Sequence, residues 1–505
     1  MRPPAADAVP ASLWRTRRGA IGTTLAWLPS LRSNRDHHRG TETTEGKDLS
    51  GFCIALQNII PARLPLEGAL SRTPVFSVPP WLILFCVAFT LVTETRAHAA
   101  AKPTYSIDYI VTISQQHPEI ARVRWELSGA EEIHWLRLGF AANRISELHA
   151  SGTLEPLPNG VKWIPGGPYA HLTYQVNINH VRGQHGRYDS YAGPDWIVTR
   201  TRDLFPRIAV EYYARPSFEP KSRARLMFRL PNGWHSAAAL GSIGADTYRL
   251  NEPGKTLDRP HGWFALGKFD PQRQEIASTM VQVARLANRG LAAKDLFSFL
   301  EGTLPALKKL LLAEPETVLI VTAPDPMWHG GISGESSFYI HDKRPLRTPD
   351  KTSPYLHELF HVLQPYKPAA DADWIEEGLA EFYSLELQRR AGLIDAAAYT
   401  RALGYFERFG KWNVDLSQQQ DNAATNNSAP LVMYALDQHI QRVTAGKQRL
   451  DDVVMRLAKQ GGTVDTAQFR KIVSAVSGRP FTRFFERHVL HGEPPHLTAL
   501  PQTDG

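Results

Sequence analysis

The chain has 505 residues, 43% hydrophobic and 21% charged, a balance ordinary for soluble globular proteins and a length that allows two or three domains. Its formal charge of +7 is unevenly spread, because residues 1–99 hold eleven Lys/Arg and seven Asp/Glu and leave 46 against 43 in the rest. No basic stripe remains along the sequence to track a phosphate backbone, which argues against nucleic acid as a partner.

Residues 1–75 show no sustained hydrophobic period and are rich in Arg, Pro, Ser and Thr, the composition of a disordered or untranslated segment. Trp81–Val92 is then a twelve-residue apolar run, shorter than the roughly 20 residues a spanning helix needs. Arg72 precedes it and the small-x-small pattern Ala97-His-Ala99 follows, so it reads as the core of a secretory signal cleaved near Ala99, with translation starting near Val75 or Val78. The expectation is an exported protein, periplasmic or secreted, with no stable membrane span after processing. The alternative is an anchor formed by residues 81–92. The only cysteines, Cys53 and Cys86, lie in this leader, which excludes a disulfide framework and a thiol nucleophile downstream.

From about 104 to 231 apolar and polar residues alternate as in half-buried strands. Tyr105 to Ile113, Val123 to Leu127, Leu172 to Ile178 and Ala224 to Leu230 each place apolar side chains on one face. Arg223, Arg225 and Arg229 fall on the opposite, solvated face of the last. Beyond 240 the pattern mixes: Val281 to Leu312 reads as mostly helical and Thr317–Thr322 as a buried strand. A glycine-rich stretch, Trp328 to His341, follows, in which His329 and His341 read as structural or surface residues.

The chemistry concentrates in Ser353-Pro-Tyr-Leu-His357-Glu358-Leu-Phe-His361. Ser353 suits an N-cap, Pro354 the first helical position, and Pro365 cannot continue a helix, so the spacing predicts a helix over 354–364. Residues four apart lie about 6 Å along the axis on one face, so His357 and His361 can converge on one metal ion. Zinc accepts imidazole nitrogen and keeps an open position for water at a catalytic site, beside which Glu358 can act as general base. With 19 histidines in the chain, chance yields about 0.04 matches to His-Glu-x-x-His. A second helix follows, with Asp373 and Glu376 spaced as a capping box and Arg389-Arg390-Ala-Gly392 as a cationic last turn with a glycine stop. That leaves Glu377 as the third zinc ligand, with Glu381 on the same face to accept a hydrogen bond from a ligating histidine. Gly378 costs about 1 kcal/mol inside a helix relative to alanine, which suggests close approach to the first helix.

His-Glu-x-x-His followed by Trp374-x-x-Glu377-Gly378-x-Ala380 resembles the gluzincin metallopeptidases, which include thermolysin and aminopeptidase N. Leu385 to Ile394 and Leu450 to Leu457 are most similar to the glycyl aminopeptidase family. The resemblance implies an α+β fold: a β-rich, sandwich-like N-terminal domain followed by a thermolysin-like catalytic domain with a helical C-terminal lobe. It divides the chain into a leader (1–100), a β-rich domain (101–235), a catalytic α/β lobe (236–365) and a helical lobe (366–505). It also implies an edge strand before the zinc helix that holds the substrate as an added strand, with Gly331 allowing close backbone approach and Glu335 gripping a free amine. The tyrosine that donates to the oxyanion in the family falls near Asn426, so that Asn426, Tyr434 or another donor substitutes or the protein is slow or inactive; loss of one such donor costs about 10²–10³ in turnover. Phe484 to Gly492 resembles the family's closing helix. The PDZ-like domain that usually follows is expected to be absent, since 13 residues remain.

Two readings follow. One is a zinc-dependent peptidase, an aminopeptidase acting on peptides through metal-activated water with Glu358 as base. The other is a catalytically weak or inactive zinc protein of the same fold that captures peptides. The intact Glu358 favours the first and the altered oxyanion residues favour the second.

Overall fold

The computed structural model describes residues 104–497 apart from 141–143, 184–185, 214–219, 253–254 and 420–423. The apolar run 81–92 and its cleavage pattern lie outside the described residues.

The four alternating segments form neighbouring strands of one sheet. Its seven strands run Gly241–Gly244, Thr247–Leu250, Ser222–Arg229, Tyr105–Ile113, Ile120–Ser128, Tyr169–Asn177 and Ile145–Ala150. Alternation sends Tyr109, Val111, Trp125, Leu172 and Leu226 to one face, where they are buried. They share a core with Leu136, Leu138 and Trp163 from a four-stranded sheet, so the two sheets stack as a sandwich. Tyr109 meets Trp125 edge-on at 5.1 Å. Truncating a fully buried aromatic of this kind costs about 3–5 kcal/mol, enough to hold the strand register.

A five-stranded sheet joins this sandwich to the rest. Its strand Trp263–Gly267 is buried along its whole length, and its alternation feeds two cores. Phe264 and Leu266 pack with the sandwich, while Trp263 and Ala265 pack with Leu319, Val321 and Tyr339 of the following sheet. The boundary expected near 235 therefore falls inside a sheet whose strands reach Gly267.

That following sheet has the order Phe269–Ile276, Thr279–Leu286, Thr317–Ala323, Ser337–His341, Gly331–Gly334. The segment from Val281, expected to be helical, is a strand as far as Leu286. Short apolar runs do not separate the two states, and β-branched Val281 and Val283 here find strand partners on both sides. Helix α1, Ala293–Leu311, begins only after Gly290, whose φ of +65° breaks the extended chain. Gly331–Gly334 is the edge strand.

The C-terminal part is helical: α2 (Pro354–Leu363), α3 (Asp373–Arg390), α4 (Ala396–Phe409), α5 (Ala429–Val443), α6 (Leu450–Gln460) and α7 (Thr466–Ser477). Ser353 caps α2 by accepting from the Leu356 N–H at 3.4 Å, with Pro354 in the first turn. Helix α3 is buried on most sides, through Trp374, Leu379, Phe382, Leu385 and Leu387, and forms the axis of the lobe. The capping box expected at its start is absent: Ala372 is the N-cap and Asp373 is already helical. Gly378 does make a close approach, but to α5 rather than α2, because a Cβ there would lie 2.9 Å from Ala429 Cβ. Among the described residues no helix is long and apolar enough to cross a membrane.

Candidate metal centre

One turn of α2 stacks His357 over His361, and α3 crosses beside them with Glu376, Glu377 and Glu381. The two Nε2 atoms stand 3.1 Å apart. Glu377 reaches both: Oε2 is 3.3 Å from His357 Nε2 and Oε1 is 3.5 Å from His361 Nε2. On the far side of its ring, His357 Nδ1 lies 2.8 Å from Glu381 Oε2. His361 Nδ1 lies 3.3 Å from Glu376 Oε1, near enough for ionic attraction but off hydrogen-bond alignment. Glu376 in turn accepts from the Gln364 side chain.

These contacts decide what the centre can hold. A carboxylate beside Nδ1 keeps the proton there, which leaves the Nε2 lone pair bare. Two bare lone pairs and a carboxylate converging within 4.8 Å repel one another unless a proton or a cation lies between them. Nitrogens about 2.0–2.1 Å from one tetrahedral zinc ion would stand about 3.3 Å apart, close to the separation found. The donor set therefore fits zinc, which His357, His361 and Glu377 would hold.

The electrostatics agree. Burial would raise the Glu377 carboxyl, but the His361 and His357 imidazoles hold it down at about 2. Burial would lower His357, yet Glu377 and Glu381 outweigh it and push the imidazole well above its ordinary value. Without metal the centre thus retains protons, for which a metal must compete. Glu358 behaves differently: burial dominates and lifts its carboxyl above the usual value despite His357 and His361. A carboxyl raised by burial beside two imidazoles is suited to accept and release a proton.

Gly331 lies against this carboxylate, and a Cβ on it would overlap the Glu358 side chain. The edge strand's polarity follows from its register. His341 N–H donates to Gly330 O at 3.1 Å, so the pairs 330/341 and 332/339 bond inward, while Gly331 and Ser333 aim their backbone groups outward. Glu335 is in the hairpin turn, exposed, and four residues or about 13 Å along the strand from Gly331. Asn426 lies in a π-helical turn, Ala424–Ser428, that packs on α3, and its Oδ1 is buried with no partner. π-Bulges often mark functional sites. Tyr434 lies instead in the core of the lobe, its ring 6.3 Å from Tyr399.

Two residues near the centre escaped the sequence reading. Glu376 looked like half of a capping box, and only the packing of α3 on α2 turns it toward His361. Arg344 had no local signal at all. It is half-buried, donates from Nε to His329 O at 2.6 Å, and lies in the electrostatic field of Glu358 and Glu381. A second group, Asp325, His329 and His341, also brings possible ligand atoms within 4.8 Å. It does not suit a metal. Asp325 is already paired with Arg187 and Lys343, and His341 Nδ1 accepts from the Lys343 N–H at 3.2 Å, which leaves the ring proton on Nε2.

No family model and no curated protein matches the chain. Solved structures do. An aminopeptidase N family protein from Idiomarina loihiensis aligns with a TM-score of 0.59 at 16% identity, over 78% of this chain and 77% of that one. An M1 zinc metallopeptidase from Deinococcus radiodurans aligns at 0.51 and 14% identity, over 80% and 95%. A substituted form of that enzyme with a bound Tyr-Ser-Ala substrate aligns at 0.52 and 13% identity, over 79% and 95%. At such identities the likeness is one of fold: the β-rich N-terminal region and helical C-terminal part match the two-domain arrangement of M1 peptidases.

Proposed function

We propose that this chain is a zinc-dependent peptidase and that it acts as an aminopeptidase on short peptides. The observation that carries the reading is the convergence of the His357 and His361 Nε2 atoms and the Glu377 carboxylate beside a second, buried carboxylate, Glu358. The fold shared with an aminopeptidase N family protein supports it.

In this reading His357, His361 and Glu377 hold the ion, and Glu381 and Glu376 keep the two rings in the tautomer that presents Nε2. Bound zinc supplies Lewis acidity and brings the pKa of a water molecule to about 7. Glu358 takes the proton from the attacking water and passes it to the leaving amine, a shuttle that its raised pKa favours. The outward backbone groups of Gly331 and Ser333 hold an extended peptide as an added strand. Gly331 lets that peptide lie directly over Glu358. The Asn426 side-chain amide is assigned to the developing oxyanion, to which its Nδ2 would donate. Export from the cytoplasm, read from the leader, completes the proposal, and N-terminal sequencing of exported protein tests it.

The decisive experiment is hydrolysis of aminoacyl amides and short peptides by purified protein with and without chelator. Activity that chelator removes, zinc restores and N-terminal acetylation of the substrate blocks is expected. Zinc retained at about one equivalent with no hydrolysis would leave peptide capture as the function. Cleavage of acetylated peptides would make the protein an endopeptidase.

A further inference from the structure

The outer face of the seven-stranded sheet carries charge that nothing in the fold uses. Arg122, Arg223, Arg229 and Arg249 are exposed on it, and among the described residues none has an acidic partner. Register places them as one field. Arg229 and Arg122 flank Thr112 on adjacent strands, and Arg249 lies directly opposite Arg225. Like charges opposite one another in a sheet are destabilising, and here Asp108 relieves Arg225 while Arg249 keeps no acidic partner among the described residues. From Arg223 to Arg229 the field extends about 20 Å along the strand and from Arg229 to Arg122 about 10 Å across it.

The acidic residues on this face are already engaged. Asp108 takes Arg225, from Nε at 2.8 Å, Glu126 takes Arg124 at 2.7 Å, and Glu147 accepts from Gln175. Four guanidinium groups thus lack an acidic partner, against one carboxylate, Glu147, whose partner Gln175 is neutral. Two apolar features accompany them. Ile110 points to this face between Arg124 and Met227, yet is only 3% exposed, so its neighbours' side chains lie over it. Tyr169, 79% exposed and the most exposed large hydrophobic residue described, lies in the same row as Arg223, Ser106 and Ser128.

We infer that this face docks the protein on an anionic phospholipid surface. Guanidinium forks match phosphate oxygens in pairs. A field extended in two dimensions, rather than a groove, suits a surface rather than a threaded polymer. An exposed tyrosine at its margin suits the headgroup level, where aromatic rings with a polar tip collect. The inference does not depend on the peptidase reading.

The test is co-sedimentation of the full-length protein with phosphatidylcholine vesicles prepared with and without phosphatidylglycerol. Each arginine near such a surface contributes about fivefold to partitioning. Binding to the phosphatidylglycerol vesicles is therefore expected to fall about 100-fold or more in a triple variant, Arg122→Glu, Arg229→Glu and Arg249→Glu. Tyr169→Ser should lose a few-fold. Raising NaCl from about 0.1 M to about 1 M shortens the Debye length from about 10 Å to 3 Å and should release the wild type. The three arginines are exposed, so an unchanged thermal melt confirms that the variant is folded; if it is not, the corresponding Arg→Gln variant, measured alongside, gives the same comparison. Binding indifferent to phosphatidylglycerol would point to the apolar run 81–92 and overturn the inference. So would retention by the triple variant, or binding to soluble heparin with none to vesicles.

Discussion

Helix α3 carries two clusters of carboxylates, and their neutralisation differs from one half of the helix to the other. In the C-terminal half Glu386, buried, receives Arg389 and Arg390 at 2.7 Å and Arg449 at 3.3 Å. Asp451 from α6 joins the same group, accepting from Arg390 at 2.6 Å and from the Tyr383 hydroxyl at 2.9 Å. In the N-terminal half Glu376, Glu377 and Glu381 face imidazoles, and among the described residues no lysine or arginine pairs with any of them. A buried carboxylate that brings its own cations ties helices together. One that has none is suited to receive a cation from outside.

Five substitutions break or sharpen this contrast. The largest effect is expected from Glu358→Gln, which should lower kcat by about 10²–10⁴ while zinc analysis shows the metal retained; loss of zinc in this variant would make Glu358 a ligand instead. Next are the carboxylates of the open cluster. Glu381→Gln should weaken zinc affinity by about 10–100-fold, and Glu377→Gln by more, read by competition against a chromogenic chelator. Equal effects of the two would show that Glu377 is not a ligand.

Glu386→Gln should leave zinc affinity and kcat unchanged and instead destabilise the fold by about 3 kcal/mol, at the low end of the range for a broken buried pair because its arginines reach water. Its pH dependence has a definite sign. Burial alone would raise the Glu386 carboxyl, but Arg389 and Arg390 more than offset this and hold it below its ordinary value. Its stabilisation is therefore fully present above the usual carboxylate pKa of about 4.3 and is lost as pH falls through the depressed native value. Denaturant midpoints measured from neutral to acid pH should converge for wild type and Glu386→Gln at the acid end. Parallel curves would refute the assignment. The smallest effect is expected from Gly378→Ala, where pressing on Ala429 costs about 1–3 kcal/mol of overpacking against about 1 kcal/mol gained in helix propensity, a net loss of about 1 kcal/mol. Net stabilisation in thermal unfolding would show that α5 yields at that point.

Much of the open cluster was legible because it is local. The four-residue spacing of His357 and His361, the Ser353 cap and the adjacent Glu358 are all set within about three turns of chain, where helical periodicity alone dictates which side chains share a face. Strands with clean alternation, such as Tyr105 to Ile113, were legible for the same reason. Glu376 was misassigned because a glutamate three residues after an aspartate satisfies a capping pattern and a ligand-orienting role equally well; only α2 lying alongside decides between them. Val281 to Leu286 reads as helix by sequence and is strand in the fold because its strand partners are supplied by distant segments.

Sequence by itself determined the helix of His357 and His361, the partner helix that brings Glu377, and the alternating strands of the sandwich, since each is a matter of period and local capping. Tertiary structure alone decided which helix Gly378 touches, that Arg344 sits in the field of Glu358, and that arginines dispersed from Arg122 to Arg249 form one charged face. Those facts depend on contacts between residues far apart in the chain, and nearest-neighbour spacing carries no record of which distant strand will pair with which.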